Sequence, residues 1–288
     1  MSAATAGIPD TRGAAGGWAD RVRSSRIARW QRPLLHGAVL ASAVWVAAIA
    51  LGAFELGTDV RAYWLTGTEP WYEADLATLG AFTYSPAIGQ LLAPFVALPW
   101  PIFAAGFAAV SLAALFAIGG RWTWILLLLP FTLFELYAGN IHLLLTLAIV
   151  VGFRYPAAWA FVLLTKVTPG VGLLWFVVRR EWRSLFVALG TTAVIVVVSF
   201  LLDPGAWLRW IDFLRLSTQT AVAYPHVEIP LLIRVSVAAL LVIWGARTDR
   251  RWVVPVAGLV ALPVIWPGSL VMLLGVIPLL RPSPSTPS

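Results

Sequence analysis

Long apolar stretches separated by short polar segments run along almost the whole chain. The first, residues 34–56, is long enough to cross a bilayer as a helix, because about 20 apolar residues span the hydrocarbon core. Further apolar segments follow at residues 86–98, 102–119, 122–138, 141–153, 157–178, 184–202, 230–245, 252–266 and 269–280. The pattern predicts an all-α, polytopic integral membrane helical bundle of about ten transmembrane or re-entrant helices. Several segments are too short for a perpendicular crossing, so some helices are expected to be tilted, broken or re-entrant.

Composition excludes a soluble globular domain. Hydrophobic residues make up 60% of the 288 positions and charged residues only 11%, and the mean hydropathy is +0.86. The chain has no cysteine, which excludes disulfides and thiol ligands, and its three histidines lie far apart in sequence. We therefore predict no metal site and no cofactor. The net charge of +7 is concentrated in clusters, which indicates membrane orientation and argues against nucleic-acid binding.

Arginine clusters predict the orientation in the membrane. Residues 1–33 carry six arginines and are predicted to be a disordered cytoplasmic tail, while residues 34–281 form the transmembrane domain and residues 282–288 a disordered tail. Three more arginines lie at 179–183 and three at 247–251. An even number of predicted crossings separates the clusters, so all of them can face the cytoplasm. The loops at 57–85 and 203–229 then face the exterior of a multi-pass plasma-membrane protein.

The first exterior loop opens with an acid. Asp59 follows the end of the first apolar span by three residues, and Arg61 and Tyr63 lie just beyond it. A short amphipathic helix along the membrane surface would place Tyr63 about one turn from Asp59. Asp59 is either a polar flank of the kind that ends many spans or a group that takes part in chemistry.

Two further exterior positions are candidates for contact with a substrate. Tyr84 precedes Ser85 and Pro86, and the proline fits the first turn of the helix predicted there. His226 lies in the second exterior loop, where it either faces the same cavity as Asp59 or is an ordinary solvated histidine.

Lys166 lies near the middle of the apolar segment 157–178, where a charge costs roughly 2.5–3.5 kcal/mol on insertion scales. Pro169 removes the amide that would bond the Thr165 carbonyl, which predicts a kink beside the lysine. A buried cation next to a kink suits a phosphate group. The alternative is a structural ion pair with Glu135, an acid deep in another apolar run.

A second polar interruption is Gly139-Asn140-Ile141-His142. Polar side chains at membrane depth usually face a bundle interior or a cavity. The alternative is a packing contact through Gly139, with Asn140 hydrogen-bonded across helices.

Several of these strings, in this order, resemble glycosyltransferase family 87, the polyprenol-phosphate-mannose-dependent mannosyltransferases of the GT-C superfamily. The strings are Asp59 with Tyr63, Tyr84-Ser85-Pro86, Gly139-Asn140-Ile141-His142-Leu143-Leu144, Lys166-Val167-Thr168-Pro169 and Arg179-Arg180-Glu181-Trp182. They span under half of the chain. The resemblance implies a GT-C-like bundle whose first exterior loop carries the catalytic acid, which matches Asp59. It also implies that the lysine–proline element at Lys166 lines the site of the donor phosphate.

On this basis the sequence predicts an inverting, metal-independent hexosyltransferase. It would move a hexose, mannose in this family, from a polyprenyl-phosphate donor to a lipid-linked or cell-envelope glycan at the exterior membrane face. Asp59 is the predicted catalytic base. The predicted donor-binding residues are Lys166, Arg61, Tyr63, Asn140 and His142, and the predicted acceptor-binding residues are Tyr84 and His226.

Two other functions fit the same pattern. A transporter or lipid-carrier flippase would use Lys166 and Glu135 as substrate contacts at the midplane. A non-catalytic membrane scaffold would use neither. The acid-rich first loop discriminates the glycosyltransferase from the transporter, because this enzyme class needs an acid there and a transporter does not.

Overall fold

The computed structural model describes residues 56–73, 81–217 and 229–280, together with the isolated Gly37. Almost all of the first predicted span, both predicted tails and the segment that contains His226 lie outside the described residues. Within the described ranges every regular element is helical, which confirms the all-α class. The α-helices are Thr58–Leu65, Pro86–Leu92, Trp100–Gly119, Thr123–Leu126, Pro130–Ala138, His142–Gly152, Trp159–Thr165, Leu174–Val178, Trp182–Leu202, Pro204–Ser217, Leu231–Arg247, Val253–Val260 and Val276–Leu279. The 3-10 helices are Gly120–Trp122, Pro156–Ala158, Thr168–Leu173 and Gly268–Gly275.

Two of the described helices are long and apolar enough to cross a membrane. They are Trp100–Leu126, which includes a 3-10 turn, and Trp182–Leu202. The helices Pro130–Ala138 and His142–Gly152 pass the same test together, but the direction of the chain bends by 108° between them, as in a broken span or a re-entrant loop. The described part of the chain is thus a membrane helical protein with two or three such spans, and the predicted number of about ten is not confirmed.

Two helix breaks shape the centre of the molecule. The first is the bend at Gly139, which ends the helix Pro130–Ala138 in the left-handed conformation, with φ of 69°. The second is at Lys166, whose extended backbone (φ −135°, ψ 104°) ends the helix Trp159–Thr165. Pro169 lies in the first turn of the 3-10 helix that follows. The kink predicted beside Lys166 is confirmed, and it is a complete break of the helix.

The prediction of a loop at 203–229 is wrong over its first half, where residues Pro204–Ser217 form a helix. Asp203 caps this helix, because its Oδ1 accepts a hydrogen bond of 2.9 Å from the amide of Ala206. Trp207 is buried and belongs to the core cluster beneath the Thr58–Leu65 helix. Phe213 is also buried, and its ring centroid lies 5.5 Å from that of Tyr72. The helix therefore packs on the part of the fold that carries Asp59.

Two core clusters contain residues of the helices that carry the candidate site. One is built around the buried rings of Trp159, Trp175 and Phe176. The other contains Tyr63 and Tyr84 and lies under the Thr58–Leu65 helix.

Candidate active site

The helix Thr58–Leu65, called here the Asp59 helix, contacts the bend at Gly139 directly. The amide of Gly57, which begins this helix with φ of 74°, donates a 2.9 Å hydrogen bond to the carbonyl of Tyr137. A Cβ atom on Gly139 would lie 2.7 Å from Cβ of Val60. Only glycine combines the left-handed conformation with this close approach. The bend and the Asp59 helix are thereby held against each other.

Asn140 links the bend to the candidate acid. Its Nδ2 donates a 2.6 Å hydrogen bond to Oδ2 of Asp59, across 81 positions of sequence. Its Oδ1 accepts a 2.7 Å hydrogen bond from the amide of Ile141, which fixes the orientation of the side-chain amide. The interpretation of Asn140 as a residue hydrogen-bonded across helices is confirmed, and its partner is the carboxylate of Asp59.

Asp59 is half-buried and lies outside the candidate spans. Burial raises the pKa of its carboxyl group above the ordinary value, and the negative charge of Glu135 acts in the same direction. The hydrogen bond from Asn140 and the charge of Lys166 lower the pKa, but burial dominates. A carboxylate with a raised pKa is a stronger proton acceptor than one in water.

A second hydrogen-bonded group starts two residues after Asn140. Nζ of Lys166 lies 2.9 Å from Nε2 of His142, and Nδ1 of His142 lies 3.1 Å from Oε2 of Glu135. Glu135 and His142 are buried, and Lys166 is half-buried. The alternative of a direct Lys166–Glu135 ion pair is wrong, because the imidazole of His142 lies between the two charges. We call these three side chains the Glu135–His142–Lys166 chain.

The bend also explains how an acid can be fully buried within an apolar stretch of the chain. It turns the helix His142–Gly152 so that its first amide faces Glu135, and Oε1 accepts a 2.7 Å hydrogen bond from the amide of His142. Helix N-termini favour negative charge. The carboxylate is therefore stabilised by the end of the next helix as well as by the imidazole.

The remaining predicted site residues occupy three different environments. The hydroxyl groups of Tyr63 and Tyr84 lie 2.9 Å apart and both side chains are buried, so the two tyrosines bond each other. Tyr72, which sequence reasoning missed, donates a 2.7 Å hydrogen bond to the carbonyl of Tyr84. Arg61 is exposed on the Asp59 helix. His226 lies outside the described residues. The donor-binding and acceptor-binding roles of these residues stay predictions.

The structure brings Asp59, Asn140, His142 and Lys166 into one region, since Asn140 bonds Asp59 and His142, two residues further on, contacts Lys166. Glu135 joins them, although sequence reasoning considered it only as an ion-pair partner. Glu135 lies seven residues before His142, and Gly139-Asn140 interrupts the helix between them. This spacing is the sequence signal that could have linked Glu135 with His142. Among the described residues no three His, Asp or Glu side chains are grouped as a metal site would need.

Comparison with known proteins assigns the class. The model of glycosyltransferase family 87 matches residues 82–282, which is more than half of the chain. The chain belongs to glycosyltransferase family 87, as the resemblance of its motifs predicted, and is a membrane glycosyltransferase. Neither a curated protein nor a solved structure matches it. The matched region contains Asn140 and the Glu135–His142–Lys166 chain, whereas Asp59 precedes it.

Proposed function

We propose that the protein transfers a hexose, mannose in the first instance, from a polyprenyl-phosphate donor to a hydroxyl group of a lipid-linked or cell-envelope glycan. The reaction would take place at the exterior face of the plasma membrane. The observation that carries the proposal is the half-buried carboxylate of Asp59, held by Asn140 within electrostatic reach of the Lys166 ammonium group. Base and cation in one partly dehydrated site are what glycosyl transfer to a hydroxyl group from a phosphate leaving group requires.

Asp59 is the proposed general base. As the acceptor oxygen attacks the anomeric carbon, its hydroxyl proton passes to the Asp59 carboxylate. The bond from the anomeric carbon to the phosphate oxygen breaks, and the electron pair leaves with the polyprenyl phosphate. Attack on the face opposite the leaving group inverts the anomeric configuration. A positioned base contributes roughly 10²–10⁴ in rate.

Lys166 is the proposed electrostatic partner of the leaving phosphate. An ammonium group has three N–H donors, and one of them is directed at His142. The other two remain for phosphate oxygens, on which negative charge accumulates as the bond breaks. Arg61, exposed two residues after Asp59, is proposed as a second contact for the donor, and Tyr63 is proposed to shape the donor side of the site. Tyr84 and His226 keep their proposed place on the acceptor side.

Substitution of Asp59 and Lys166 tests the proposal. Asp59→Asn keeps the size of the side chain but cannot accept a proton at neutral pH, so turnover should fall by roughly 10²–10⁴ while the protein still inserts and binds donor. Lys166→Met keeps the apolar stem and removes the charge, so both donor affinity and rate should fall. Asp212→Asn is the matched control, because Asp212 is an exposed acid that accepts a hydrogen bond from Arg215 on the same helix. This control should retain the activity of the unchanged protein.

The assay uses purified protein, a synthetic polyprenyl-phosphate mannose and a glycolipid acceptor in the presence of a chelator. Transfer from a nucleotide sugar alone, or loss of activity on chelation, would contradict the proposed donor class. Near-normal transfer by Asp59→Asn would remove Asp59 as the base. Movement of an intact lipid carrier across vesicles without sugar transfer would instead support a flippase.

A further inference from the structure

We propose that Glu135 and His142 are positioning residues for Lys166: Glu135 fixes the His142 tautomer that accepts a hydrogen bond from the lysine, so that the remaining ammonium donors face the leaving phosphate. This inference rests on the proposed function for the role of Lys166. It replaces direct donor contact as the role of His142. His142 is fully buried, so both of its ring nitrogens need partners within the protein.

The two neighbours of the His142 ring determine where its proton lies. Nδ1 lies 3.1 Å from a Glu135 oxygen, which as a carboxylate can only accept, so Nδ1 carries the proton. Nε2 then has a lone pair and accepts from the Lys166 ammonium group at 2.9 Å. The opposite tautomer would direct an N–H group at an ammonium that has only donors, and it would leave Nδ1 facing an oxygen with no proton between them.

Glu135 is suited to this task because it offers two acceptor oxygens to one residue. Oε1 accepts from the backbone amide of His142 at 2.7 Å, and Oε2 accepts from the ring. A glutamine would supply only one acceptor oxygen, and its NH₂ group would face a donor at the other position. The negative charge also balances that of Lys166 across the ring, so the buried chain is neutral overall.

Gly268, on a separate element, makes room for the carboxylate. A Cβ atom at this position would lie 2.6 Å from Oε2 of Glu135 and 3.0 Å from Cδ1 of Phe134. Gly275, at the other end of the same 3-10 helix, is equally crowded but only by carbon atoms: its Cβ would lie 2.9 Å from Cγ2 of Thr146 and 3.0 Å from Cβ of Pro255. The two glycines therefore form a matched pair, of which only one touches the Glu135–His142–Lys166 chain.

The arrangement gives the base and the cation a common support. Asn140 holds Asp59, and two residues later His142 holds Lys166, both directly after the bend at Gly139. A shift of this short segment would move both groups together. Glu135, which accepts from the His142 amide, anchors the segment from the preceding helix.

The test measures the tautomer and the kinetics on the full-length protein in detergent. In ¹⁵N NMR of protein labelled at histidine, the signals of His142 are those absent from His142→Gln. We expect a protonated Nδ1 and an unprotonated Nε2 in the unchanged protein, and loss of this pattern in Glu135→Gln and Gly268→Ala. Turnover in the two variants should fall roughly 10–100-fold, the cost typical of losing the partner that orients a functional histidine. The KM for the donor should change less than kcat, and Gly275→Ala should keep both the tautomer and kcat.

The outcomes separate this inference from the proposed function. A proton on Nε2 of His142 alone, or on both ring nitrogens, in the unchanged protein would overturn the inference, and so would Glu135→Gln with an unchanged tautomer or unchanged kcat. The spectrum of the unchanged protein shows which ring nitrogen of His142 carries the proton, so it tests the inference even if both variants fail to fold. The tautomer is measured without substrate, so finding it as expected while Asp59→Asn still transfers sugar would refute only the proposed function. Loss of transfer in Asp59→Asn with the wrong tautomer would refute only the inference.

Discussion

The hydrogen bond from Asn140 should control the pH at which Asp59 can act as a base. Asn140→Ala removes the 2.6 Å bond to Oδ2 of Asp59. A hydrogen bond to a charged group contributes about 1.5–3 kcal/mol, and one pKa unit corresponds to about 1.4 kcal/mol. Because this bond stabilises the ionised form, its loss should raise the pKa of Asp59 further, beyond the rise that burial already causes.

The sign of the effect on activity follows from the role of the base. Asp59 has to be ionised to accept the proton, so kcat/KM should increase with pH through the pKa of Asp59. In Asn140→Ala this acidic limb should move to higher pH. The activity lost at low pH, roughly 10–100-fold for a hydrogen bond of about 1.5–3 kcal/mol, should be largely recovered at higher pH, where Asp59 is ionised again.

The assay is the pH profile of kcat/KM for sugar transfer, since this profile reports groups of the free enzyme. Asn140→Asp serves as the companion variant. It keeps the oxygen that accepts from Ile141, but it places a second acid beside Asp59, and like charges raise the pKa further. The acidic limb of the Asn140→Asp profile should therefore move to higher pH at least as far as that of Asn140→Ala. If Asn140→Ala loses the same activity at every pH, Asn140 does not act through the pKa of Asp59, and direct donor contact becomes its role. If the acidic limb of the profile moves to lower pH, the predicted direction of the pKa change is wrong.

Two further predictions concern the orientation and the bend. Single cysteines can be introduced at the exposed positions Glu73 and Arg180 of this cysteine-free chain and treated with a membrane-impermeant thiol reagent in intact cells. Position 73 should be labelled and position 180 should not; labelling of position 180 alone would reverse the predicted topology. Gly139→Ala should lower the midpoint of thermal unfolding, because a side chain in the left-handed conformation costs about 1–2 kcal/mol and its Cβ would meet Val60. Gly106→Ala, with open space around it, should not lower the midpoint, and equal effects of the two changes would contradict the account of the bend.

The sequence predicted the features that depend on local chemistry. Proline has a fixed φ and no amide, so Pro86 at a helix start and the break before Pro169 could be inferred from single residues. The position of Tyr63 one turn from Asp59 required only helical spacing, and a helix is found there. The helix Pro204–Ser217 was missed because its charged residues resemble a loop at the membrane surface, although Asp203 and Pro204 form an N-terminal capping signal.

Features that depend on relative placement could not be predicted. The alternative of a direct ion pair between Lys166 and Glu135 depended on their charges alone. The 108° bend instead brings His142 between them, and the angle of a bend cannot be inferred from the residues that allow it. The contact between Asn140 and Asp59 joins residues 81 positions apart and depends on the docking of the Asp59 helix. The count of about ten transmembrane or re-entrant helices allowed for broken segments, but the sequence did not show how many of them cross the membrane as single helices; segment 157–178 is interrupted at Lys166.

That interruption bears on how the protein is made. The helix Trp159–Thr165 has seven residues and the helix Leu174–Val178 has five, so neither is long enough to cross the hydrocarbon core alone. A nascent segment that is short, broken and charged gains little by partitioning into lipid by itself. It becomes stable in the membrane only when neighbouring helices supply partners for its backbone and for Lys166. We therefore expect integration of this segment into the membrane to depend on assembly of the candidate active site, so that a chain unable to build the site would also leave an unstable segment exposed.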